Sequence, residues 1–214
     1  MTMQPAPVRP TWFDDDDDDK DDDNDDDGES KRAIVWGLGK KLLERRIIVV
    51  AKPVSRELAA AVLAQLLVLD DEHPEKPITM YVNSPGGDAD AGFAIYDAMR
   101  LVHAPVTTIC AGLAASAAIM ICLGGDKGRR FSLPHSRFLI HQPSTGSRGQ
   151  ASDIEITARE IERTRDTYNG IIATETGRKV ETVLEDVQRD FWLNAEEAVA
   201  YKLVNRIVAS ADDM

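Results

Sequence analysis

The feature that most constrains the fold is an alternation, from residue 33 onward, of short apolar runs with longer amphipathic stretches. Short runs rich in β-branched residues are typical of buried strands, and amphipathic stretches predict helices. The predicted strands are 47–50, 78–82, 106–110, 130–133, 138–140 and 205–208, and the predicted helices are 56–69, 91–102, 116–123, 152–176, 180–188 and 194–201. Strands separated by helices indicate βαβ units and a largely parallel sheet, so the predicted fold class is α/β.

Residues 1–32 form a low-complexity leader that differs sharply from the rest of the chain. Residues 14–27 contain twelve Asp and one Lys, so they carry −11 of the chain's net charge of −12. Their mutual repulsion and lack of apolar side chains predict a solvated, extended segment, with a removable pro-segment as the functional alternative. Residues 33–214 are then nearly neutral and are predicted to form one domain, without the basic stripe of a nucleic-acid-binding protein.

One uncharged stretch, Val106–Gly125, is long enough to span a bilayer. Its many Ala, Gly, Ser and Thr residues and its division at Gly112 favour a buried strand, turn and helix instead. Cys110 and Cys122 lie in this stretch at a spacing typical of neither a metal site nor a disulfide framework. Buried, reduced thiols in a cytoplasmic protein are the simpler interpretation, and no membrane partner is expected.

A serine at a predicted strand-to-helix junction is the first candidate for chemistry. Ser116 lies among small residues, and at the start of a helix the backbone N–H of Ala117 is left free. The turn Ser84-Pro85-Gly86-Gly87 after the second strand offers further unpaired N–H groups, which can hold a tetrahedral oxyanion. Each feature alone is more often structural, as a packing serine and a plain turn.

A histidine and an aspartate can complete such a site. His141 follows an apolar run at the carboxyl edge of the predicted parallel sheet, where clefts form, and Asp190 precedes two aromatic residues. Each of them alone is usually structural. Together with Ser116 they make an acyl-transfer site, in which His141 takes the hydroxyl proton and Asp190 orients the imidazole.

Five motifs in order resemble the proteolytic subunit of the Clp protease, the ClpP family. They are Ser84-Pro85-Gly86-Gly87, Gly112-Leu113-Ala114-Ala115-Ser116, Ile140-His141-Gln142-Pro143, Gly149-Gln150-Ala151-Ser152-Asp153-Ile154 and Arg189-Asp190-Phe191. The resemblance spans about residues 28–208 and implies a ClpP/crotonase-type stack of ββα units with a protruding handle helix around Ile154–Tyr168. It also implies the catalytic triad Ser116, His141 and Asp190, and an oxyanion hole formed by the backbone N–H groups of Gly87 and Ala117.

The same resemblance implies an assembly and partners. A serine endopeptidase of this family forms two stacked seven-membered rings and receives unfolded polypeptides from an AAA+ unfoldase. That partner would use the ATP, since this chain has no P-loop motif and no metal-ligand cluster, so no cofactor is expected in the subunit. Tyr81, Phe131 and Leu133 match residues of the family's hydrophobic docking clefts, whereas Thr79 replaces an aromatic residue.

Some positions depart from the family pattern. The Asp run stands where the family has an apolar N-terminal hairpin, and Asp88 and Asp90 follow Gly87 where apolar or hydroxyl residues are common. The two acids predict a preference for basic over acidic peptides.

Two rival functions remain open at the level of sequence. One is a crotonase-type enzyme acting on acyl-CoA thioesters, which needs no triad. The other is an inactive structural ring subunit. The complete set of Ser116, His141 and Asp190 favours the peptidase over both.

Overall fold

The structure is a computed structural model that describes residues 37–144, 146 and 148–213. The predicted leader, residues 1–32, lies outside the described residues, and so do the first residues of the predicted domain. The solvated, extended conformation of the leader therefore stays a prediction.

Helices and strands alternate along the described chain much as the sequence pattern indicates. The helices are α1 (described over 37–44), α2 (Arg56–Glu72), α3 (Ala89–Leu101), α4 (Ala117–Gly124), α5 (Ala151–Thr176), α6 (Val180–Asp186) and α7 (Ala195–Tyr201), followed by a 3-10 turn at Ala211–Asp213. The strands are β1 (Ile47–Val50), β2 (Ile78–Ser84), β3 (Val106–Ala115), β4 (Arg130–Ser132), β5 (Arg137–Ile140), β6 (Phe191–Asn194) and β7 (Arg206–Ile207).

One sheet holds these strands together. Strands β1, β2, β3, β4 and β7 lie side by side in that order and are parallel. Strand β5 adds in parallel to the far end of β3, and β6 pairs antiparallel with β5. The predicted α/β class with a largely parallel sheet is confirmed.

Two strands differ from the sequence-based expectation. The third strand was predicted to end at Cys110, but β3 continues to Ala115, because its last residues are held between β2 and β5 by backbone pairing. Strand β6 was not predicted at all, since four residues without a clear alternation give no local signal. Both elements are decided by partners remote in the chain.

The uncharged stretch Val106–Gly125 is the centre of the core. It forms β3 and α4, and every residue of α4 is buried, which explains why the helix has no polar face. Among the described residues, no helix is long and apolar enough to cross a bilayer.

Local caps predicted from the sequence are present. The side chain of Ser55 accepts a hydrogen bond from the backbone N–H of Leu58 at the start of α2. Asn194 and Glu197 form a complete capping box at the start of α7. These bonds satisfy N–H groups that a helix cannot pair internally, so both helix starts are fixed by short-range chemistry.

A buried ion pair fastens β4 to α5. The Arg130 guanidinium donates a hydrogen bond to the Glu175 carboxylate, and their side chains are only 3% and 5% exposed. Arg130 Nε also donates to the Gly125 carbonyl oxygen at 2.7 Å, and the Tyr96 hydroxyl donates to Glu175 at 2.8 Å. Burial alone would raise the pKa of Glu175, but the hydrogen bonds from Arg130 and Tyr96 outweigh it and lower that pKa.

We expect Glu175→Gln to lower the free energy of unfolding by about 3–5 kcal/mol, because it leaves a buried guanidinium without its counter-ion. The folded-state pKa of Glu175 is depressed, so its stabilisation is present above the unfolded-state pKa and is lost as pH falls through the folded-state value. Denaturant unfolding at several acidic pH values should therefore show a shallower loss of stability in the variant than in the wild type.

The matched control is Glu162→Gln, which neutralises an exposed carboxylate on the same helix. It should change stability by less than about 0.5 kcal/mol. Equal stabilities for the two variants would contradict a structural role for the buried pair.

Candidate active site

Three neighbouring strands end at one edge of the sheet and bring together residues that are distant in sequence. Strands β2, β3 and β5 are parallel, with Ser84 opposite Ala114 and Ala115 opposite Leu139. The segments that follow them carry Gly86 and Gly87, Ser116, and His141. The carboxyl edge of a parallel sheet is where α/β proteins form their clefts, as the sequence analysis assumed.

Ser116 occupies a strained backbone position between β3 and α4. Its φ and ψ are 54° and −123°, a conformation that residues other than glycine seldom adopt. Its N–H donates to the Leu139 carbonyl oxygen at 2.9 Å, and its carbonyl oxygen accepts from Ile119 N–H at 2.9 Å. The hydroxyl does not cap the helix. Ser116 is half-buried, so its hydroxyl lies at the helix start without serving as the helix cap.

The glycine turn after β2 lies directly against this serine. A Cβ atom on Gly86 would lie 2.4 Å from the Ala115 carbonyl oxygen, 2.7 Å from Ser116 Cβ and 3.0 Å from Ala117 N. Real Cβ atoms do not approach so closely, and the φ of Gly86 is 87°, so only glycine fits. The turn therefore approaches both Ser116 and the first amide of α4.

Within the part of the chain that the structure describes, two backbone N–H groups in this corner have no backbone partner. Val54 forms a parallel bridge with Gly87, and its own N–H and C=O bond to the Gly86 oxygen and the Asp88 N–H, both at 2.8 Å. In a parallel bridge the N–H of the residue opposite, here Gly87, points away from this partner. Ala117 is the first residue of α4, whose N–H has no partner within the helix. The two amides thus lie on adjacent segments beside Ser116.

His141 and Asp190 are brought together by the antiparallel pairing of β5 and β6. Ile140 lies opposite Phe191, so the residue after β5 faces the residue before β6. His141 Nδ1 lies 4.0 Å from Asp190 Oδ1, with side chains 30% and 66% exposed. That distance exceeds a hydrogen bond, and such contacts in ligand-free sites tighten when substrate binds. The strand that the sequence did not reveal is what places Asp190 beside the imidazole.

Ser116 and His141 share a small apolar pocket. Its other lining residues are Ala89, Phe93, Ala117, Met120, Pro143, Thr164 and Tyr168. His141 also borders a second, more open hollow with Asp190. His141 thus borders both the pocket that Ser116 lines and the hollow that Asp190 lines, and all five sequence-predicted site residues lie in this region.

Tyr168 is a site residue to which the sequence analysis gave no role. Its hydroxyl donates to the Ser116 carbonyl oxygen at 3.1 Å, and its ring is almost fully buried. Burial raises the pKa of Tyr168, so the hydroxyl stays protonated and remains a donor. Nothing in the local sequence of α5 distinguishes it from an ordinary core residue, because its partner lies on a different element.

The two acids that follow Gly87 have different surroundings. The Asp88 carboxylate accepts from Ala91 N–H at 3.0 Å as the cap of α3, and it lies 3.3 Å from Arg56 Nε. Asp90 is exposed in the first turn of α3. Since helix N-termini favour negative charge, both acids have a structural reason for their position. The predicted preference for basic peptides stays a prediction.

Of the predicted docking residues, Tyr81 and Phe131 lie in the middle of β2 and β4, and Leu133 directly follows β4. Tyr81 and Phe131 lie opposite Ile109 on its two sides, and all three belong to a small apolar cluster with Val208. Leu133 follows β4, is 36% exposed, and donates its N–H to the Cys110 carbonyl oxygen. The structure therefore brings Tyr81 and Phe131 together and leaves Leu133 just beyond them.

Comparison with known proteins agrees with this architecture. The Clp protease family matches residues 30–211. A similar relative is the ATP-dependent Clp protease proteolytic subunit 2 of Treponema pallidum (strain Nichols), which is 47% identical over 175 residues, 82% of this chain and 88% of the relative. These matches favour the peptidase over an acyl-CoA enzyme and over an inactive ring subunit.

The family model and the similar relative both bear the name of the Clp protease. The family match covers most of the chain, and the relative is matched over nearly its whole length. The chain therefore belongs to the Clp protease family and is a serine-type peptidase subunit.

Proposed function

We propose that the chain hydrolyses peptide bonds with Ser116 as nucleophile, His141 as general base and acid, and Asp190 as the carboxylate that orients the imidazole. The observation that carries this proposal is that Ser116 and His141 line one pocket and that His141 Nδ1 lies 4.0 Å from Asp190 Oδ1. A serine hydroxyl is a weak nucleophile on its own, so an adjacent base is required.

The reaction then proceeds in two halves. Ser116 Oγ attacks the peptide carbonyl carbon while His141 takes the hydroxyl proton, and the imidazolium passes that proton to the leaving amine as the C–N bond breaks. Water next attacks the resulting ester, again giving a proton to His141, which returns it to Ser116 Oγ. Asp190 stabilises the imidazolium in both halves, once the 4.0 Å gap to Nδ1 closes to a hydrogen bond.

The amides of Gly87 and Ala117 are proposed to hold the oxyanion. They lie on the two backbone segments that Gly86 brings into contact, so both N–H groups border the position that the carbonyl oxygen takes during attack. Fixed backbone donors need no reorientation as charge develops, and one such donor is worth about 10²–10³ in kcat.

Assembly and partners extend the same proposal. The first half of α5 is largely exposed, with Ile154 and Ile156 at 44% and 56%, whereas its buried residues begin at Tyr168. An exposed helix with apolar side chains suits association between copies of the chain. We propose two stacked seven-membered rings in the cytoplasm, which take unfolded polypeptides from an AAA+ unfoldase that binds at Tyr81, Phe131 and Leu133. The unfoldase hydrolyses the ATP, and the subunit itself needs no cofactor.

We expect a fluorophosphonate probe to label the wild-type protein at Ser116 and to leave Ser116→Ala unlabelled. The probe reacts with an activated serine whatever peptide sequence the enzyme prefers. Intact-mass measurement with peptide mapping therefore identifies the nucleophile directly. Ser152→Ala, at the exposed start of α5, is the matched control and should label like the wild type. Absence of labelling in the wild type, or labelling in Ser116→Ala, would overturn the peptidase mechanism.

Asp190→Asn should lower kcat by about 10³- to 10⁴-fold, because the amide neither holds the same imidazole tautomer nor stabilises the imidazolium. Hydrolysis of a short fluorogenic peptide gives kcat and KM. Glu196→Gln neutralises another exposed carboxylate close in sequence and should leave both constants unchanged. A kcat within about threefold of wild type for Asp190→Asn would remove Asp190 from the triad.

Tyr168→Phe tests whether the buried hydroxyl positions the nucleophile. Loss of one hydrogen bond to the Ser116 carbonyl should lower kcat and the rate of fluorophosphonate labelling by about tenfold, with KM nearly unchanged. A merely structural role would lower thermal stability but leave the labelling rate of the folded protein unchanged. Tyr81→Phe, which removes a hydroxyl at the predicted docking residues, is the control and should label at the wild-type rate.

A further inference from the structure

A groove with three cations lies beside the predicted docking residues. Its charged lining residues are Lys127, Arg129 and Arg206, and the rest of the lining is Pro77, Thr79, Thr107, Gly128 and Phe131. We call this surface the basic groove. No carboxylate is among these lining residues, so the groove has one sign of charge.

The cations of the basic groove form no close salt bridge within the part of the chain that the structure describes. Lys127, Arg129 and Arg206 are all exposed, and the one carboxylate that interacts electrostatically with Arg206 there is Asp213, whose pKa is lowered mainly by hydrogen bonds from the Ser210 and Ala209 N–H groups. The Arg206 guanidinium lies over the Phe131 ring, 5.0 Å from its centroid. Neighbouring cations that outnumber their counter-charges attract an anionic ligand, and this attraction is strongest where they line a concave surface.

The chain carries a matching anion of its own. Residues 14–27 hold twelve Asp and one Lys, a net charge of −11 in a protein whose remaining charge is close to zero. A polyaspartate segment has many carboxylates that can each pair with a lysine or arginine, and no apolar surface of its own. Charge complementarity therefore favours this acidic segment as the ligand of the basic groove.

The acidic segment is attached close enough to reach the groove. The Thr79 N–H donates to the Arg46 carbonyl oxygen at 2.9 Å, and Arg46 Nε donates to the Pro77 carbonyl oxygen at 3.2 Å. The chain thus enters β1 beside two residues that line the groove. Three strand spacings, about 14 Å, separate β1 from β4. Residues 28–36 can extend about 30 Å, more than this distance and the roughly 12 Å length of α1 together.

We propose that the acidic segment, residues 14–27, binds in the basic groove and covers Phe131 in the resting protein. An unfoldase that docks at Phe131 must then displace the segment, so the leader acts as a built-in competitor for that surface. The binding of the segment does not depend on the catalytic assignment; only the competition rests on the proposed docking of an unfoldase.

A zero-length carbodiimide cross-linker tests the contact in the full-length protein. It joins a carboxylate to a lysine amine only when they touch, and mass spectrometry then identifies the joined peptides. We expect residues 14–27 to cross-link to Lys127 in preference to Lys179, an exposed lysine outside the groove. In about 1 M salt, where the Debye length is about 3 Å, this cross-link should disappear.

The double variant Arg129→Glu/Arg206→Glu keeps Lys127 as the reporter while reversing the two other cations. Its cross-link yield at Lys127 should fall about tenfold, since two charge pairs become repulsive. Arg148→Glu/Lys202→Glu makes the same change in net charge at two exposed positions that do not line the groove and should leave the yield unchanged. Circular dichroism and thermal melting establish that both variants are folded.

Cross-links spread over Lys127 and Lys179 according to their exposure, or a Lys127 yield that both double variants lower equally, would overturn the proposal. Fluorophosphonate labelling at Ser116, measured on the same samples, reports the peptidase mechanism separately. Normal labelling without the groove cross-link would reject the proposed contact and leave the proposed function intact. Failed labelling with the groove cross-link present would reject the proposed peptidase mechanism and leave the proposed contact intact.

Discussion

Backbone pairing along β3 positions the segments that carry Ser116 and His141 and, through β5, the strand next to Asp190. Strand β3 is ten residues long, bonds to β2 along most of its length, and divides its other edge between β4 and β5. Because β5 pairs only with the last residues of β3, its end lies level with the start of α4. Ser116 and His141 meet for this reason. A shorter β3 would separate them and would leave β6, and with it Asp190, without an anchor.

Strain at one residue is offset by packing around it. Ser116 takes a backbone conformation that costs of order 1–3 kcal/mol for a non-glycine residue, and its N–H, its carbonyl oxygen and the buried Tyr168 hydroxyl hold it there. The adjoining helix α4 is buried throughout and has no freedom to relax the turn. The neighbouring Gly86 leaves room for the turn only because it lacks a Cβ atom. A serine held in this way needs little reorganisation before it acts as the proposed nucleophile, and such preorganisation is a general source of catalytic power.

The sheet separates the proposed catalytic residues from the proposed binding groove. The carboxyl edge carries Ser116, His141 and the amides of Gly87 and Ala117, whereas the basic groove borders the starts of β2, β3 and β4, and the apolar cluster with Tyr81 and Phe131 lies between them. Strands that run between the two edges are a rigid connection, and the buried pair of Arg130 and Glu175 ties β4, beside the groove, to the helix that carries Tyr168. The net negative charge of the chain is concentrated in residues 14–27. An acidic segment is compatible with folding because the folded part is nearly neutral and is not destabilised by self-repulsion.

Features that depend on near neighbours could be predicted from the residues alone: the α/β class, the capped starts of α2 and α7, the buried stretch Val106–Gly125, and the motifs that resemble the ClpP family. Features that depend on partners remote in the chain could not. The end of β3, the existence of β6, the 4.0 Å approach of His141 to Asp190 and the role of Tyr168 all follow from long-range pairing. Periodicity and capping depend on a few neighbouring residues. The four-residue strand β6 and the role of the buried Tyr168 hydroxyl depend instead on backbone partners that are distant in the sequence.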